Sequence, residues 1–130
     1  MKAPNNIFRN WNKDMYIATK KEVEYDDYNN EIVKYNKPFY FGRVNYQPLT
    51  GKQLEDFIRE YGETDNQIVS CLINYTDDGK FSDFDLAYLY GVNPIGEQNY
   101  GDKANFKVRA YKPQNTRIMV IFEKITKEEL

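Results

Sequence analysis

Four aspartates, Asp77, Asp78, Asp83 and Asp85, form the closest group of carboxylates in the chain. Converging carboxylate oxygens would hold Ca²⁺ or Mg²⁺, and a matched pair would serve glycoside hydrolysis. Their spacing does not fit an EF-hand loop, and nothing in the pattern selects a pair. A turn at Thr76-Asp77-Asp78-Gly79 followed by the solvated start of a strand accounts for all four. Cys71, the single cysteine, sits between Val69 and Ile73 in a strand pattern, and there is no histidine to take its proton. It reads as an inert buried thiol. The absence of histidine also removes most zinc ligand sets and most general-base mechanisms. No glycine-rich phosphate loop, nucleophile elbow or metal-ligand spacing occurs. The chemistry-bearing residues therefore point to a protein without catalysis, metal or cofactor.

Charge suggests binding instead. The formal net charge is only −2, but it is unevenly distributed. Residues 39–102 carry four basic and eleven acidic side chains, whereas residues 103–127 carry seven basic and one acidic. One reading is a set of solvated strand faces. The other is a self-complementary surface, on which Lys107, Arg109, Lys112 and Arg117 of one copy meet Glu55, Asp56 and Glu60 of the next, a head-to-tail contact able to close a ring. The segment 103–117 also interleaves Lys107, Arg109 and Lys112 with Phe106 and Tyr111, a stacking-plus-charge pattern of barrels that bind single-stranded nucleic acid. The slightly negative total charge speaks against that alternative.

The elements that must position these residues centre on 39–75. Phe39 and Phe41 alternate, then Val44 and Tyr46 alternate in the opposite parity, which predicts a bulge near Gly42. Pro48 and Gly51 break the strand. Thr50-x-x-Gln53 fits a capping box, and Leu54, Phe57, Ile58 and Tyr61 follow on one helical face until Gly62, so a short helix is predicted over about 51–61. Burying those four side chains would contribute roughly 1.5–3 kcal/mol each, as an upper bound.

Around this unit, 14–25 reads as a strand, Asp26–Asn30 as a turn, and Ile32, Val33 and Tyr35 as the return strand. Phe84–Tyr90 is a short strand, followed by a loop from Gly91 to Lys103. Loops of that length are uncommon and often functional, and Val92, Pro94, Ile95 and Tyr100 give this one an adhesive surface. Phe106, Val108 and Ala110 alternate with Lys107, Arg109 and Tyr111 in one arm of a hairpin. Arg117–Ile125 is the most apolar strand and is expected to be central. The fold class is mostly β, a small β-barrel or sandwich of six to seven strands with one short α-helix.

One hundred and thirty residues suit one domain, here 14–130, preceded by an arm at 1–13. In the arm, Ile7, Phe8 and Trp11 either pack on their own domain or dock onto a neighbour, tryptophan being frequent at interface hot spots. The opening MKAPNNIFRNW lacks the apolar run of a signal peptide, and no stretch approaches the length of a membrane span. The expectation is a protein made in a reducing cytoplasm, with no membrane partner.

The order of these segments resembles the phage head-completion family, the head-closure, stopper or head–tail connector proteins of long-tailed bacteriophages. The resemblance runs from about Asp14 to Lys124. It rests on an N-terminal strand and the turn Asp26-Asp27-Tyr28-Asn29-Asn30, then Gly42-Arg43-Val44-Asn45-Tyr46-Gln47-Pro48-Leu49-Thr50-Gly51. Tyr61-Gly62-Glu63-Thr64-Asp65 follows, then an aspartate opening a strand (Asp83 or Asp85), a variable loop and Phe106-Lys107-Val108. The helix at 51–61 and the length of the Gly91–Lys103 loop depart from the family pattern.

The resemblance implies a small β-barrel with an architectural role in the virion. Copies form a homo-oligomeric ring, typically twelvefold, under the portal and adaptor. The ring closes the channel after packaging and docks the tail, and DNA passes without sequence recognition. Assembly would occur in the host cytoplasm. On that implication the arm and the 91–103 loop meet partners, and the charged sets meet one another between copies.

Overall fold

The structure, a computed structural model, describes residues 12–126. The expected arm residues Ile7, Phe8 and Trp11 lie outside the described residues. Eight strands, one α-helix and a short 3₁₀ turn follow in the order β1 (Asn12–Ala18), β2 (Lys20–Tyr25), β3 (Glu31–Tyr35), β4 (Phe39–Pro48), α1 (Gly51–Tyr61), β5 (Ile68–Asn74), the 3₁₀ turn Tyr75–Asp77, β6 (Leu86–Tyr88), β7 (Phe106–Pro113) and β8 (Arg117–Lys124). Six strands close an antiparallel barrel in the order β1-β4-β5-β8-β7-β6, with β1 pairing back to β6. β2 and β3 form a separate two-stranded ribbon. The mostly β barrel with one helix is as expected, and β8 lies between β5 and β7 as its apolar sequence demands.

Alternation fills the barrel. Met15, Ile17, Val69, Cys71, Ile73, Val108, Ile118, Val120 and Phe122 point inward and are buried. The bulge expected near Gly42 is present: Met15 faces Gly42 and Tyr16 faces Tyr40, so Phe41 is the extra residue. That single insertion lets Phe39 and Phe41 pack on the same core as Val44 and Tyr46 despite opposite parity.

A second bulge in β7 was not anticipated. Val108 faces Phe122 and Ala110 faces Ile121, leaving Arg109 unpaired in the ladder. Strict alternation therefore fails after Val108. Ala110 turns to the outer face beneath the helix, and Tyr111 turns inward against the core. The expected strand over 14–25 is also broken. The chain leaves the barrel at Thr19, and everything to Tyr35 belongs to the ribbon. The strand expected over Phe84–Tyr90 shortens to Leu86–Tyr88, because Phe84 and Tyr90 adopt positive φ values of 71° and 58° that no strand accommodates.

The helix lies on the outside of the barrel. Leu54, Phe57 and Tyr61 cover Leu49, Ile68, Ala110 and Ile121. Gly62 ends it at φ 92°, its N–H bonded to the Ile58 carbonyl at 2.8 Å. The capping box does not form. Thr50 has the extended geometry of an N-cap, but its hydroxyl makes no cap bond, and helix entry rests on the Leu54 N–H to Thr50 carbonyl bond at 3.4 Å. The helix is thus held by its packed face more than by its ends. Phe57 is the only fully buried residue of α1. Phe57→Ala should cost about 3 kcal/mol in urea unfolding. A loss below about 1 kcal/mol would mean that the helix does not clamp the barrel.

Candidate interaction surface

The outer side of the barrel opposite the helix is covered by the 91–104 loop, organised around one phenol. In β6, Ala87 faces the interior while Leu86 and Tyr88 face outward. Tyr88 is nonetheless fully buried, packed with Ala18 and Ala104 and flanked by Tyr16, Tyr35, Leu86 and Val92. Its hydroxyl donates to Glu97 Oε2 at 2.7 Å and accepts the Gly101 N–H at 3.0 Å. The same Glu97 oxygen accepts the Lys103 N–H at 2.8 Å, and the Lys103 ammonium donates to the Ile95 carbonyl. Burial, and then the hydrogen bond to Glu97, push the Tyr88 phenol well above its ordinary value. Asn105 secures the base of the loop, bonding both the N–H and the carbonyl of Leu89 at 2.9 Å. The loop has no regular structure, but it is fastened at several points.

Beside it stands the ribbon. Its turn is shaped by Asp26, whose carboxylate accepts the backbone N–H groups of Tyr28 and Asn30 at 2.9 and 2.8 Å, with Asn29 at φ 62°. Two anchors join it to the barrel: Tyr35 packs into the cluster around Tyr88, and the Lys20 N–H donates to buried Asp85 at 2.7 Å. The far end is bare. Tyr28 is 86 % exposed, Tyr25 is 67 % exposed, and Ile32 and Val33 are both exposed. The Lys34–Glu24 pair at 2.8 Å is exposed on both sides and contributes little. A two-stranded ribbon is marginal alone, so its order derives from its root.

Loop and ribbon meet. Gly101, at φ 95°, lies so close that a Cβ would sit 2.8 Å from Leu86 Cδ1 and 3.3 Å from the Tyr35 ring. A groove of about 450 Å³ runs between them, lined by Ile32, Val33, Lys34 and Tyr35 on one side and Asn99, Tyr100, Gly101 and Asp102 on the other, with Leu86 also in its lining. Of the loop residues singled out for adhesion, Tyr100 lines this groove and Ile95 stands 75 % exposed nearby in sequence. Pro94 is half-buried, and Val92 packs inward against the Tyr88 cluster. The sequence reading missed Ile32 and Val33 as surface residues. Their adjacency was the available signal, since two consecutive apolar residues cannot both face one side of a strand.

Some of the charged residues expected at a contact between copies also meet partners within one chain. Lys112 and Glu60 meet within one chain at 2.6 Å. Arg109 is half-buried, 3.1 Å from Glu123 and 5.7 Å from the Tyr61 ring. Asp56 pairs with Arg59 at 3.4 Å, and Glu55 is exposed on the helix. Arg117 is exposed and lines a shallow groove of about 370 Å³ with Asn45, Gln53, Leu72, Gln114 and Met119. Lys107 is half-exposed opposite Glu123.

Glu123 is the hub of this side. Thr64 and Asn66 donate to its Oε2 at 3.0 and 2.8 Å. Burial alone would raise its carboxyl, but the hydrogen bonds from Asn66 and Thr64, with the charges of Lys107 and Arg109, outweigh that and hold it below 4.5. Phe106, expected to stack on bases, is buried in the barrel, and Tyr111 packs against the core. These two rings therefore present no stacking platform beside the lysines.

The four aspartates diverge. Asp77 pairs with Lys80 at 2.7 Å, Asp78 accepts the Tyr111 hydroxyl at 3.1 Å, and Asp85 is buried, tying the ribbon root and the Ser82 N–H, the latter at 2.7 Å. Asp83 stays exposed. Among the described residues no three acidic, cysteine or histidine side chains converge on a metal-sized site. Cys71 is buried in the barrel, which pushes its thiol up to about 12.

No family model matches the chain, and no solved structure matches it. Among curated proteins, the chain is similar to large ribosomal subunit protein bL31 of Salinibacter ruber, with 40% identity over 50 residues. The match covers 38% of this chain and 58% of the ribosomal protein, so less than two thirds of that relative is spanned.

Two outcomes follow from this geometry. Tyr88→Phe keeps the packing but leaves Glu97 and the Gly101 N–H without the hydroxyl. Stability should fall by about 1–3 kcal/mol, and limited proteolysis should now cut within 91–103. An unchanged cleavage pattern would show that the phenol does not fasten the loop. Because Glu123 titrates lower in the folded chain than in the unfolded one, its contribution is present above pH 4.5 and is lost as pH falls below it. Glu123→Gln should therefore flatten the acid limb of a stability-against-pH curve. An acid limb as steep as that of the parent protein would rule out Glu123 as a source of acid lability.

Proposed function

We propose that this chain is an architectural subunit of a bacteriophage neck, a head-completion protein that assembles as a ring under the portal and adaptor, closes the DNA channel and docks the tail. The observation that carries this reading is the division of labour in the fold. The barrel interior is filled with side chains, while the ribbon and the fastened loop add apolar surface outside it. Solid barrels with appended adhesive elements suit assembly, because the closed sheet leaves few strand edges open and the additions offer partners exposed apolar surface. The order of segments along the chain supports the same family, and no catalytic role is assigned to any residue.

In this proposal the lateral contact between copies uses Lys107 and Arg117 with Glu55. Lys112 and Glu60 satisfy each other within a copy, and Arg109 is committed to Glu123. The loop residue Ile95 faces the connector or the tail. The 103–117 hairpin could alternatively be read as a single-strand binder, but its two rings point inward.

The test is incubation of the purified protein with the portal–adaptor complex encoded by the same phage, followed by negative-stain imaging. A ring of extra density beneath the adaptor is expected, and its absence at saturating protein would sink the proposal. Lys107→Glu with Arg117→Glu should abolish that ring while leaving the melting temperature within a few degrees. A ring that forms undiminished removes these two residues from the lateral contact. In parallel, stoichiometric binding to a short single-stranded oligonucleotide, lost at high salt, would favour the nucleic-acid reading instead.

A further inference from the structure

Among the described residues β3 bonds only to β2, so its other edge is unpaired along the whole strand. The groove beside it is walled by four consecutive β3 residues, Ile32 to Tyr35. Successive side chains of a strand point to opposite faces, so a cavity touched by four in a row runs along the strand's edge and not over one face. Across it stand Tyr100, Gly101 and Asp102. An open strand edge with an aromatic ring, Tyr100, on its far wall suits β-strand addition, in which main-chain bonds hold an extended peptide and alternate side chains fill pockets.

We propose that residues 1–11 of a second copy of this chain add to the free edge of β3 in this groove. Three arguments select that occupant. The segment carries three large apolar residues, Ile7, Phe8 and Trp11, to set against Ile32, Val33 and Tyr100. Its charged side chains are Lys2 and Arg9, with no acid among its eleven residues. The groove lining holds one acid, Asp102, and one base, Lys34, whose ammonium is already paired with Glu24 at 2.8 Å, and the adjoining ribbon tip carries Asp26, Asp27 and Glu31, so the surroundings are acidic and complement the basic arm.

Reach then decides between the chain's own arm and a neighbour's. Asn12 pairs with Asn45 at one end of β1, whereas Ala18 at the other end pairs with Leu86, which lines the groove. Six residue steps of strand separate them by about 20 Å. Doubling back from Asn12, five residues fully extended bring Ile7 at most about 18 Å, to the edge of the groove, while Phe8 and Trp11 fall shorter still. A chain's own arm therefore cannot seat all three apolar residues in its own groove. A neighbour's can, and where each copy gives its arm to one neighbour and receives one from another the contact is head-to-tail, able to continue into a ring, whereas reciprocal exchange closes a dimer. This contact does not depend on where in a virion such a ring would sit.

The experiment uses full-length chains and native mass spectrometry over a range of protein concentrations. A donor-defective variant carries Ile7→Ser, Phe8→Ser and Trp11→Ser. An acceptor-defective variant carries Ile32→Asp and Tyr100→Ser, both at exposed positions, with circular dichroism to confirm that it folds and Tyr100→Ser alone as the milder replacement. The parent protein should form dimers and larger species. Each variant alone should remain monomeric. An equimolar mixture should give one-to-one dimers and nothing larger, because one good arm and one good groove remain between them. A parent that stays monomeric at every concentration, a donor-defective variant that associates as the parent does, or a mixture that stays monomeric would each overturn the proposal. The last two outcomes would place any self-association on another surface, such as the charged faces.

Discussion

Everything in this molecule depends on β1 pairing twice. Its first six residues bond to β4, and its last three bond to β6, so one short strand closes the sheet into a barrel. Closure hides Met15 and Ile17 completely and leaves each barrel strand with a neighbour on both sides. It also requires the long β4 to bend, because a flat ten-residue strand cannot serve both a curled neighbour and the core. The insertion of Phe41 beside Gly42 provides that bend. Once the barrel is shut, polypeptide left over has to go outside, and the chain sends it to two sides: the helix over β5, β8 and β7, and the loop with the ribbon over β1 and β6.

The two outer layers are held by different physics. The helix is fixed by apolar burial, Phe57 above all, with no contribution from its unformed cap. The loop buries fewer apolar groups and relies on directed bonds to Tyr88 and Asn105. Such bonds contribute modestly when made and cost more when one partner is left buried and unmatched. That asymmetry gives the loop a definite shape while leaving Ile95 and Tyr100 exposed.

Much of this was legible in the residues. The change of parity between Phe41 and Val44 announced the bulge, and the spacing of Leu54, Phe57 and Tyr61 between Gly51 and Gly62 announced the helix. The inert setting of Cys71 followed from its strand neighbours. What was not legible involved competition between local pattern and closure. Lys107-Val108-Arg109-Ala110-Tyr111 alternates without a flaw, yet the barrel's curvature inserts a bulge at Arg109 and reverses every later side chain. The break at Thr19 has no glycine or proline to mark it. The pairing of Lys112 with Glu60 needed the helix to be laid on β7, which no charge count reveals. The groove drew its lining from β3 and from a loop more than sixty residues later, so no window of sequence contained it.

The central proposal is that the barrel is a scaffold and that partners are met largely through the elements outside it. Hydrogen exchange tests this residue by residue, on the dilute protein alone and after addition of the proposed partner, a portal–adaptor complex. The account predicts new protection in residues 31–35 and 95–102, in addition to any at the charged positions Lys107 and Arg117 where copies meet. Unchanged exchange in both 31–35 and 95–102 would contradict it.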